Sequence, residues 1–560
     1  MRNNWRVTVV FIGIFLLGAA IISRLVFIQI KNYGYWKALA QGQQTLFDEV
    51  TGERGEIFIR DKEGNLYNLA TSKEWLLVCV SPEKILQEDE KVSSETIKKL
   101  SATLALDEKI IDETIKNSAS LCEPLKKRLS SEEVAQLEKA DLKGIYIKKE
   151  MVRYYSYETL LSHILGFVGG EGKGQYGIEG YYEESLRGSS GFQEGEKGPK
   201  LYLIKNSVKK GMNLNLTIDY NIQFKTEKLL ENIKDELKIE GGTIIIGDPS
   251  TGKIIALANY PTFNPNEYSK EKDMSVFQNS AIQKTYEPGS VFKPITMAAA
   301  LENEKITPQT TYKDEGFLKV GNYFIYNYDK RVWGEKTMTE VLEKSINTGA
   351  VFAERQAGDE QFLKSVEKFG FFEPTGIDLQ GEVFSENKTL RNGKEINFVT
   401  ASFGQGIEVT PMQLFKAFSI IANGGKLIKP YLAEDFVSSL KTEPEPVISE
   451  KTASQLISML VSVVENGYAK AARIPGYYIA GKTGTAQVAW TALGIDKPGY
   501  SEETTQTFIG FAPAFNPRFV ILIKLDNPAT KTAEYSAVPM FRELAEYIID
   551  YWQIPPDYEP

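Results

Sequence analysis

The chain has 560 residues, more than one hydrophobic core of ordinary size accommodates, which predicts about two to four folded units. Its 42% hydrophobic and 25% charged residues are typical of a globular protein, and the net charge of -9 argues against a nucleic-acid-binding protein. One histidine and two cysteines are too few for a structural zinc site, so we expect no metal and no other cofactor.

An apolar stretch flanked by arginines occupies the N-terminus. An uncharged run over residues 7–23 follows Arg2 and Arg6, and apolar residues continue to Ile30. A helix over this run would extend about 25 Å, slightly less than a bilayer core of about 30 Å. We therefore predict that residues 1–30 form a cytoplasmic tail and a single-pass anchor in the cell membrane, with the bulk of the chain outside the cytoplasm. A cleaved signal peptide and a buried core helix are the alternatives.

Residues 31–212 alternate between short strand patterns and charged helical stretches, which predicts an irregular α+β domain. Its predicted elements are the strands 56–60 and 75–80 and the helices 94–104 and 131–139. Glycine and lysine are frequent over residues 188–211, which predicts a solvated connection to the next domain. Cys79 and Cys122 could form a disulfide outside the cytoplasm, but a surface protein with few cysteines would have the same composition, so their pairing stays open.

A second domain is predicted over residues 213–552, followed by a tail at 553–560. Its first two strands, 243–247 and 254–258, flank a Pro- and Gly-containing turn and are predicted to form a hairpin. Further strands are predicted at 477–480, 507–512 and 519–525, with an amphipathic helix at 540–551. Five strands with flanking helices fit an α/β sandwich built around a five-stranded antiparallel sheet.

Ser290 and Lys293 form an S-x-x-K pattern after a Pro-Gly pair and ahead of a predicted helix at 295–301. A spacing of three places both side chains on one helical face. A serine hydroxyl becomes a nucleophile when a neighbouring base takes its proton, and a lysine with a lowered pKa can be that base. The pattern is weak by itself, because other serines, for example Ser269, also precede a lysine by three positions.

Two further patterns follow Ser290 in a fixed order. Ser345 and Asn347 give S-x-N, and residues 482–485 give K-T-G-T. A serine can relay protons, and an amide side chain can hold a peptide substrate. The order S-x-x-K, S-x-N, K-T-G is typical of one enzyme superfamily.

The K-T-G-T pattern suits a terminal carboxylate. Lys482 supplies a cation, Thr483 and Thr485 supply hydroxyls, and Gly484 lets a substrate lie against the strand edge. A Ser-His-Asp triad is the rival for a serine enzyme, but the sole histidine, His163, lies far upstream and is better explained by packing or hydrogen bonding.

These motifs make the chain similar to the class B penicillin-binding proteins, which are monofunctional peptidoglycan D,D-transpeptidases. The resemblance covers nearly the whole chain. In the N-terminal part it rests on residues 54–58 (RGEIF), 163–166 (HILG) and 174–179 (GQYGIE), and in the C-terminal part on 402–406 (SFGQG) and 508–513 (FIGFAP). It implies an anchor, an elongated α+β pedestal domain and an α/β transpeptidase domain.

The resemblance also implies a role for each motif residue. Ser290 would attack the penultimate D-Ala carbonyl of a stem peptide and expel the terminal D-Ala, with Lys293 as the base. Ser345 would relay protons, and Asn347 would bind a substrate amide. An acceptor amine from a second stem peptide would then resolve the acyl-enzyme.

The same resemblance assigns the binding groups. Lys482, Thr483 and Thr485 would hold the substrate carboxylate, with Gly484 between them. Backbone N–H groups of Ser290 and Thr485 would form the oxyanion hole. β-Lactams would acylate the same serine, because they imitate the D-Ala-D-Ala end.

By resemblance, the pedestal receives a SEDS-type glycosyltransferase and other membrane proteins of the divisome or elongasome. Residues 174–188 and the total length are closer to the division-type (septal) branch than to the elongation branch. Two other functions stay open. One is a D,D-carboxypeptidase or β-lactamase, in which water resolves the acyl-enzyme, and the other is a non-catalytic β-lactam-binding scaffold of the divisome.

Overall fold

The computed structural model describes residues 12, 14–19, 21, 46–50, 52–117, 122–189, 191–195, 203–204, 209–439 and 445–559. The chain divides into two compact units, residues 1–55 with 184–212 and residues 56–183 with 213–560. Most of the predicted anchor, residues 1–30, lies outside the described residues. Within the ranges given above, no helix is long and apolar enough to cross a membrane.

The first unit contains a three-stranded sheet. Strand Gly191–Gly195 pairs antiparallel with Leu46–Val50 and with Leu203–Ile204, and a short helix, Glu183–Arg187, precedes it. The predicted connection over residues 188–211 contains two of these strands, which the sequence analysis did not predict. A glycine- and lysine-rich segment has no strand pattern of its own, and its main pairing partner lies far upstream, so periodicity could not reveal the sheet.

Residues 56–183 of the second unit form α+β structure, as predicted. The strands are β1 (Ile57–Arg60), β2 (Leu66–Val80), β3 (Glu123–Lys126) and β4 (Ile145–Tyr155), with a two-residue pair Phe167–Val168 and Gly174–Gln175. The helices are α1 (Pro82–Leu86), α2 (Glu90–Leu104), α3 (Glu108–Asn117), α4 (Ser131–Ala140), α5 (Ser162–Leu165) and α6 (Gly177–Tyr181). Strand β2 pairs antiparallel with β1, β3 and β4. A fifth strand, β5 (Leu214–Asp219), pairs parallel with β1, so the predicted second domain completes the sheet of the first.

Local sequence explains how helices α2 and α4 form and pack. Helix α2 buries Leu100 and Leu104, which are spaced by four residues on one face. Helix α4 starts with a capping box, in which Ser130 Oγ accepts from Glu133 N and the Glu133 carboxylate accepts from Ser130 N. The buried faces of α1 to α4 share one core with β2, formed by Val78, Val80, Ile85, Leu100, Leu104, Ile111, Ile115, Leu129 and Leu137.

A disulfide and a buried ion pair link elements of this part. A disulfide joins Cys79 of β2 to Cys122, a pairing that the sequence left open. Arg153 of β4 donates from Nε to Glu179 Oε1 of α6 at 2.6 Å, and the two side chains are 3% and 0% exposed. The Tyr155 hydroxyl donates to the same carboxylate oxygen at 3.3 Å. Removing one member of such a buried pair takes away a group that compensates the charge of the other.

The rest of the second unit is an α/β structure. Its strands are β6 (Gly241–Gly247), β7 (Ile254–Tyr260), β8 (Thr311–Asp314), β9 (Phe317–Val320), β10 (Tyr323–Tyr326), β11 (Gly334–Thr337), β12 (Ala480–Ala489), β13 (Tyr500–Ala512) and β14 (Phe519–Asp526). Its helices are α7 (Tyr220–Leu237), α8 (Ser280–Gln283), α9 (Lys293–Glu302), α10 (Met338–Glu343), α11 (Asn347–Ala357), α12 (Asp359–Lys368), α13 (Lys388–Arg391), α14 (Glu395–Ala401), α15 (Pro411–Ala422), α16 (Glu450–Asn466) and α17 (Ala537–Trp552).

The five-stranded antiparallel sheet predicted for this part is confirmed, with the order β7-β6-β14-β13-β12. Strands β8 with β11 and β9 with β10 form two separate antiparallel pairs. The strand predicted at 477–480 is wrong, because β12 begins only at Ala480 and continues to Ala489. Gly481 and Gly484 disfavour a strand by propensity, but cross-strand pairing with β13 outweighs that preference.

Strand registers assign the helices to the two faces of this sheet. Phe508 of β13 packs on Phe541 of α17, and a Cβ on Gly247 of β6 would meet Phe415 of α15. Successive residues alternate between faces, so α15 and α17 cover opposite faces. Lys482 of β12 shares the face of Gly247. The sheet therefore presents Lys482 on the side of α15.

We expect Glu179→Ala to lower the free energy of unfolding by about 3–5 kcal/mol, because it removes the buried carboxylate that accepts from Arg153 Nε at 2.6 Å. Urea titration of the purified chain, followed by circular dichroism, measures the change. Glu360→Ala is the matched control, since Glu360 pairs with Lys364 on the surface and should leave stability close to wild type. Equal stability of the two variants would contradict a structural role for the buried pair.

Candidate active site

Ser290 lies in a 3-10 turn, Gly289–Phe292, that leads directly into helix α9. Two segments hold this turn. On one side Gly289 N donates to Gly404 O at 2.9 Å, and on the other a Cβ on Gly289 would lie 3.0 Å from Ala486 Cβ of β12. Gly289 has a φ of +60°, so a side chain here would be both strained and crowded. The half-buried Ser290 hydroxyl is thereby fixed at the start of a helix.

Lys293 is completely buried, and its amine nitrogen has four oxygen neighbours. Nζ lies 3.0 Å from Ser290 Oγ, 2.8 Å from Asn347 Oδ1, 2.6 Å from Ser345 O and 3.2 Å from Ser345 Oγ. A carbonyl oxygen and an amide oxygen accept hydrogen bonds but cannot donate them, so they engage two N–H groups. A neutral amine has two N–H groups and one lone pair. Its lone pair is then available to accept the proton of Ser290.

The environment favours this neutral amine. Burial lowers the pKa of Lys293 well below 10.5, and the nearby charge of Lys482 lowers the pKa further. Burial also lowers the pKa of Lys482, to about 7. Two buried lysines so close together cannot easily both be charged, and Lys293 is the one that faces the serine.

Ser345 connects the two lysines. It lies between α10 and α11 with a left-handed φ of +54°. Its Oγ is 3.2 Å from Lys293 Nζ and 3.0 Å from Lys482 Nζ. Because a hydroxyl both accepts and donates, it completes a hydrogen-bonded path from Ser290 through Lys293 to Lys482.

Asn347 is the first residue of α11, and its amide connects two walls of the site. Oδ1 lies against Lys293, while Nδ2 donates to Tyr326 O at 3.0 Å, at the end of β10. Sequence reasoning missed Tyr326, since its carbonyl reaches the site only because the β9–β10 hairpin packs there. No local motif marks such a backbone contact.

The K-T-G-T residues lie on a strand, as predicted, and β12 is an edge strand of the sheet. A Cβ on Gly484 would lie 3.0 Å from both Pro288 O and Val291 Cγ1, so the strand passes directly beside the Ser290 turn. A side chain at position 484 would crowd the Ser290 turn, so glycine suits this close approach. No strand of the described residues pairs with the outer edge of β12, which leaves that edge open to an extended peptide.

The structure brings the five predicted catalytic residues into one hydrogen-bonded cluster: Ser290, Lys293, Ser345, Asn347 and Lys482. The two threonines stand apart from it. Thr483 is buried and Thr485 Oγ1 accepts from Ala533 N at 3.2 Å, and neither hydroxyl bonds to the cluster in the described part of the chain.

His163 lies outside this cluster. It is buried in α5, its Nε2 is 2.9 Å from Val276 O, and its ring packs edge-on against Phe263. Burial lowers its pKa to about 4, which keeps the ring neutral. The packing interpretation therefore agrees with its surroundings.

Two family descriptions match the chain. Residues 242–546 match the penicillin binding protein transpeptidase domain, and residues 49–216 match the penicillin-binding protein dimerisation domain. The chain belongs to the class B penicillin-binding proteins. The dimerisation match of this penicillin-binding protein extends into β5, in agreement with the pairing of β5 and β1.

Relatives of this penicillin-binding protein include stage V sporulation protein D of Bacillus subtilis, which is 34% identical over 85% of this chain and 74% of its own length. The peptidoglycan D,D-transpeptidase FtsI homolog of Mesostigma viride is 28% identical over 98% of this chain and 96% of its own. A solved peptidoglycan synthetase from Bifidobacterium adolescentis has a TM-score of 0.68 and 26% identity, and the match covers 92% of this chain and 98% of that one. Penicillin binding protein 3 from Mycobacterium tuberculosis, complexed with aztreonam, shares the fold at a TM-score of 0.67 and 24% identity over 91% of this chain and 98% of that one.

The lowered pKa of Lys482 predicts how stability depends on pH. In the unfolded chain Lys482 keeps its proton up to about pH 10.4, whereas in the folded chain its pKa is about 7. Between these two pH values the unfolded state binds more protons than the folded state. Rising pH therefore stabilises the fold in this window. We expect the free energy of unfolding of wild type, measured relative to that of Lys482→Met, to rise by up to about 1.4 kcal/mol per pH unit in this window.

Urea titrations across that window measure the difference between wild type and Lys482→Met. Lys364→Met is the control, since Lys364 is exposed in a surface ion pair. A difference between wild type and Lys482→Met that stays constant with pH would show that Lys482 titrates normally.

Proposed function

We propose that this penicillin-binding protein is a serine D,D-transpeptidase that cross-links the stem peptides of peptidoglycan. The observation that carries the proposal is the buried Lys293 amine, 3.0 Å from the Ser290 hydroxyl, with two acceptor oxygens engaging its N–H groups. This is the arrangement of a nucleophile with its base. The relatives named peptidoglycan D,D-transpeptidase support the same activity.

In the first half-reaction, Ser290 Oγ attacks the carbonyl carbon of the penultimate D-Ala while its proton moves to Lys293. The C–N bond to the terminal D-Ala breaks, and the leaving amine takes the proton back through Ser345. In the second half-reaction an acceptor amine attacks the ester carbonyl. The amine proton returns to Ser290 as the C–Oγ bond breaks, so the enzyme is regenerated without net proton change.

Binding of the substrate carboxylate affects the protonation of both active-site lysines. A substrate carboxylate held by Lys482, Thr483 and Thr485 favours the charged form of Lys482, and that charge keeps Lys293 neutral by repulsion. Backbone N–H groups of Ser290 and Thr485 are assigned to the oxyanion hole. β-Lactams are assigned to the same site, in line with the related Mycobacterium tuberculosis protein complexed with aztreonam.

We assign residues 1–30 to a cytoplasmic tail and membrane anchor, 31–212 to the pedestal, 213–552 to the transpeptidase domain and 553–560 to a tail. The arginines before the apolar run support an orientation with the catalytic domain outside the cytoplasm. Cross-linking requires glycan strands that bear stem peptides. We therefore infer that a SEDS-type glycosyltransferase and other divisome or elongasome membrane proteins work beside this chain.

Septal division is the cellular role that we favour, supported by the FtsI homolog among the relatives and by residues 174–188. Sporulation is a second candidate, because stage V sporulation protein D is 34% identical over 85% of the chain. Elongation of the side wall is the remaining alternative. Imaging of a fluorescently tagged copy separates the three roles, since the septum, the spore envelope and the side wall are distinct locations.

We expect Ser290→Ala to abolish covalent labelling by a fluorescent penicillin, because the acyl-enzyme needs the Ser290 hydroxyl. Gel fluorescence of purified protein measures the labelling. Ser269→Ala is the matched control, since Ser269 also precedes a lysine by three positions but is exposed at the surface. Labelling that survives Ser290→Ala would refute the assignment of the nucleophile.

We expect wild-type protein, supplied with a polymerase and lipid-linked precursor, to release D-Ala and to form cross-linked stem dimers in equal amounts. Mass spectrometry of digested product measures the dimers, and Ser290→Ala is the control for both products. D-Ala without dimers would favour a D,D-carboxypeptidase. Neither product, together with penicillin labelling, would favour a non-catalytic scaffold.

A further inference from the structure

We propose that Asp314, the last residue of strand β8, is a positioning residue that fixes the amide of Asn347 in the orientation that the Lys293 amine requires. The proposal rests on the proposed acylation of Ser290. Asp314 belongs to none of the three motifs, and it acts through its hydrogen bonds to the neighbours of active-site residues.

The Asp314 carboxylate is 2% exposed and accepts five hydrogen bonds. Oδ1 accepts from Gly316 N at 3.1 Å, from Asn327 Nδ2 at 3.0 Å and from Thr348 Oγ1 at 2.6 Å. Oδ2 accepts from Asn327 Nδ2 at 2.9 Å and from Trp333 N at 2.8 Å. These donors come from the turn before β9, the end of the β9–β10 hairpin, the start of β11 and the helix α11. One side chain therefore forms hydrogen bonds with four segments.

Hydrogen bonds hold this carboxylate, and within the described ranges of the chain no cation forms a salt bridge with it. The nearby cations face other acids, since Lys313 lies 3.9 Å from Glu315 and Arg331 lies 3.5 Å from Asp329. A buried charge without a counterion depends on each of its hydrogen-bond donors. The donors of Asp314 are therefore held in place as strictly as the carboxylate itself.

Two of these donors are next in sequence to residues that meet at the active site. Asn327 follows Tyr326, whose carbonyl accepts from Asn347 Nδ2 at 3.0 Å. Thr348 follows Asn347, and its backbone N donates to Asn327 Oδ1 at 3.2 Å. Asp314 thus fixes both backbone segments that carry the hydrogen bond between Asn347 and Tyr326.

That hydrogen bond decides which end of the Asn347 amide faces Lys293. With Nδ2 engaged by the Tyr326 carbonyl, Oδ1 must face Lys293, where it lies 2.8 Å from Nζ. A half-turn of the amide would place its NH2 group against the N–H groups of Lys293, donor against donor. The orientation of Asn347 therefore controls whether the Lys293 lone pair stays directed at Ser290.

The pH profile of acylation reports this effect. An acceptor oxygen stabilises the charged amine, so loss of Asn347 Oδ1 lowers the pKa of Lys293. Among the described residues, Ser290, Ser345 and Lys482 also face Lys293, and no hydrogen bond joins any of these three to Asp314. A general loss of folded protein would lower the rate at every pH without moving the profile.

The test measures the second-order rate constant of acylation by a fluorescent penicillin as a function of pH, with full-length protein. We expect Asp314→Asn to lower the maximum of this rate constant about tenfold to a hundredfold. We also expect the acidic limb of the profile, where the rate constant falls as Lys293 becomes protonated, to move to lower pH. Asn347→Ala combined with Asp314→Asn should be no slower than Asn347→Ala alone, because both changes act on the same amide. Thr348→Val removes one donor while keeping the side-chain shape, and we expect the same direction of shift if Asp314→Asn does not fold.

Asp378→Asn is the matched control. Asp378 is 5% exposed and accepts from Leu432 N and Ala433 N, but it has no hydrogen bond to the active-site residues. We expect it to leave the acidic limb in place and to combine multiplicatively with Asn347→Ala. An unmoved limb in Asp314→Asn, or a multiplicative effect with Asn347→Ala, would overturn the positioning role. Labelling that persists in Ser290→Ala would instead refute the proposed function.

Discussion

In the proposed mechanism, the chemistry of this penicillin-binding protein depends on the protonation state of one nitrogen atom, Lys293 Nζ. A charged amine would use its three N–H groups on the surrounding oxygens and would have no lone pair for a proton. Burial and the charge of Lys482 favour the neutral form, and the oxygens of Ser345 and Asn347 hold its two N–H groups. The geometry then leaves the lone pair to Ser290, which lies 3.0 Å away.

Three distant chain segments create this environment, and each is fixed by a different physical constraint. The Ser290 turn depends on Gly289, which packs between Gly404 and β12. Ser345 reaches both lysines from a left-handed backbone conformation. Lys482 is placed by the pairing of β12 with β13. The cluster is therefore already assembled without substrate, and a preformed arrangement lowers the reorganisation cost of the proposed reaction.

Within the second unit, the pedestal residues and the catalytic part are joined by hydrogen bonds as well as by a shared sheet. Tyr155 N donates to Asn266 Oδ1 at 3.0 Å, and Asn266 Nδ2 donates to Tyr155 O at 2.8 Å. His163 contributes a third link through Val276 O. The sole histidine is thus a structural residue of this junction, held neutral by burial.

The sequence alone identified the nucleophile pattern, the order of the three motifs, the hairpin 243–258 and most of the catalytic sheet, because these depend on short-range spacing and strand periodicity. It could not predict the sheet of Gly191–Gly195, the full extent of β12 or the Cys79–Cys122 pairing, since each depends on a partner segment that spacing does not reveal. The contact of Tyr326 with Asn347 and the hydrogen bonds of the buried Asp314 carboxylate likewise depend on partner segments that spacing does not reveal. Only tertiary packing brings a backbone carbonyl or a buried acid to a site, and neither leaves a pattern in the local sequence.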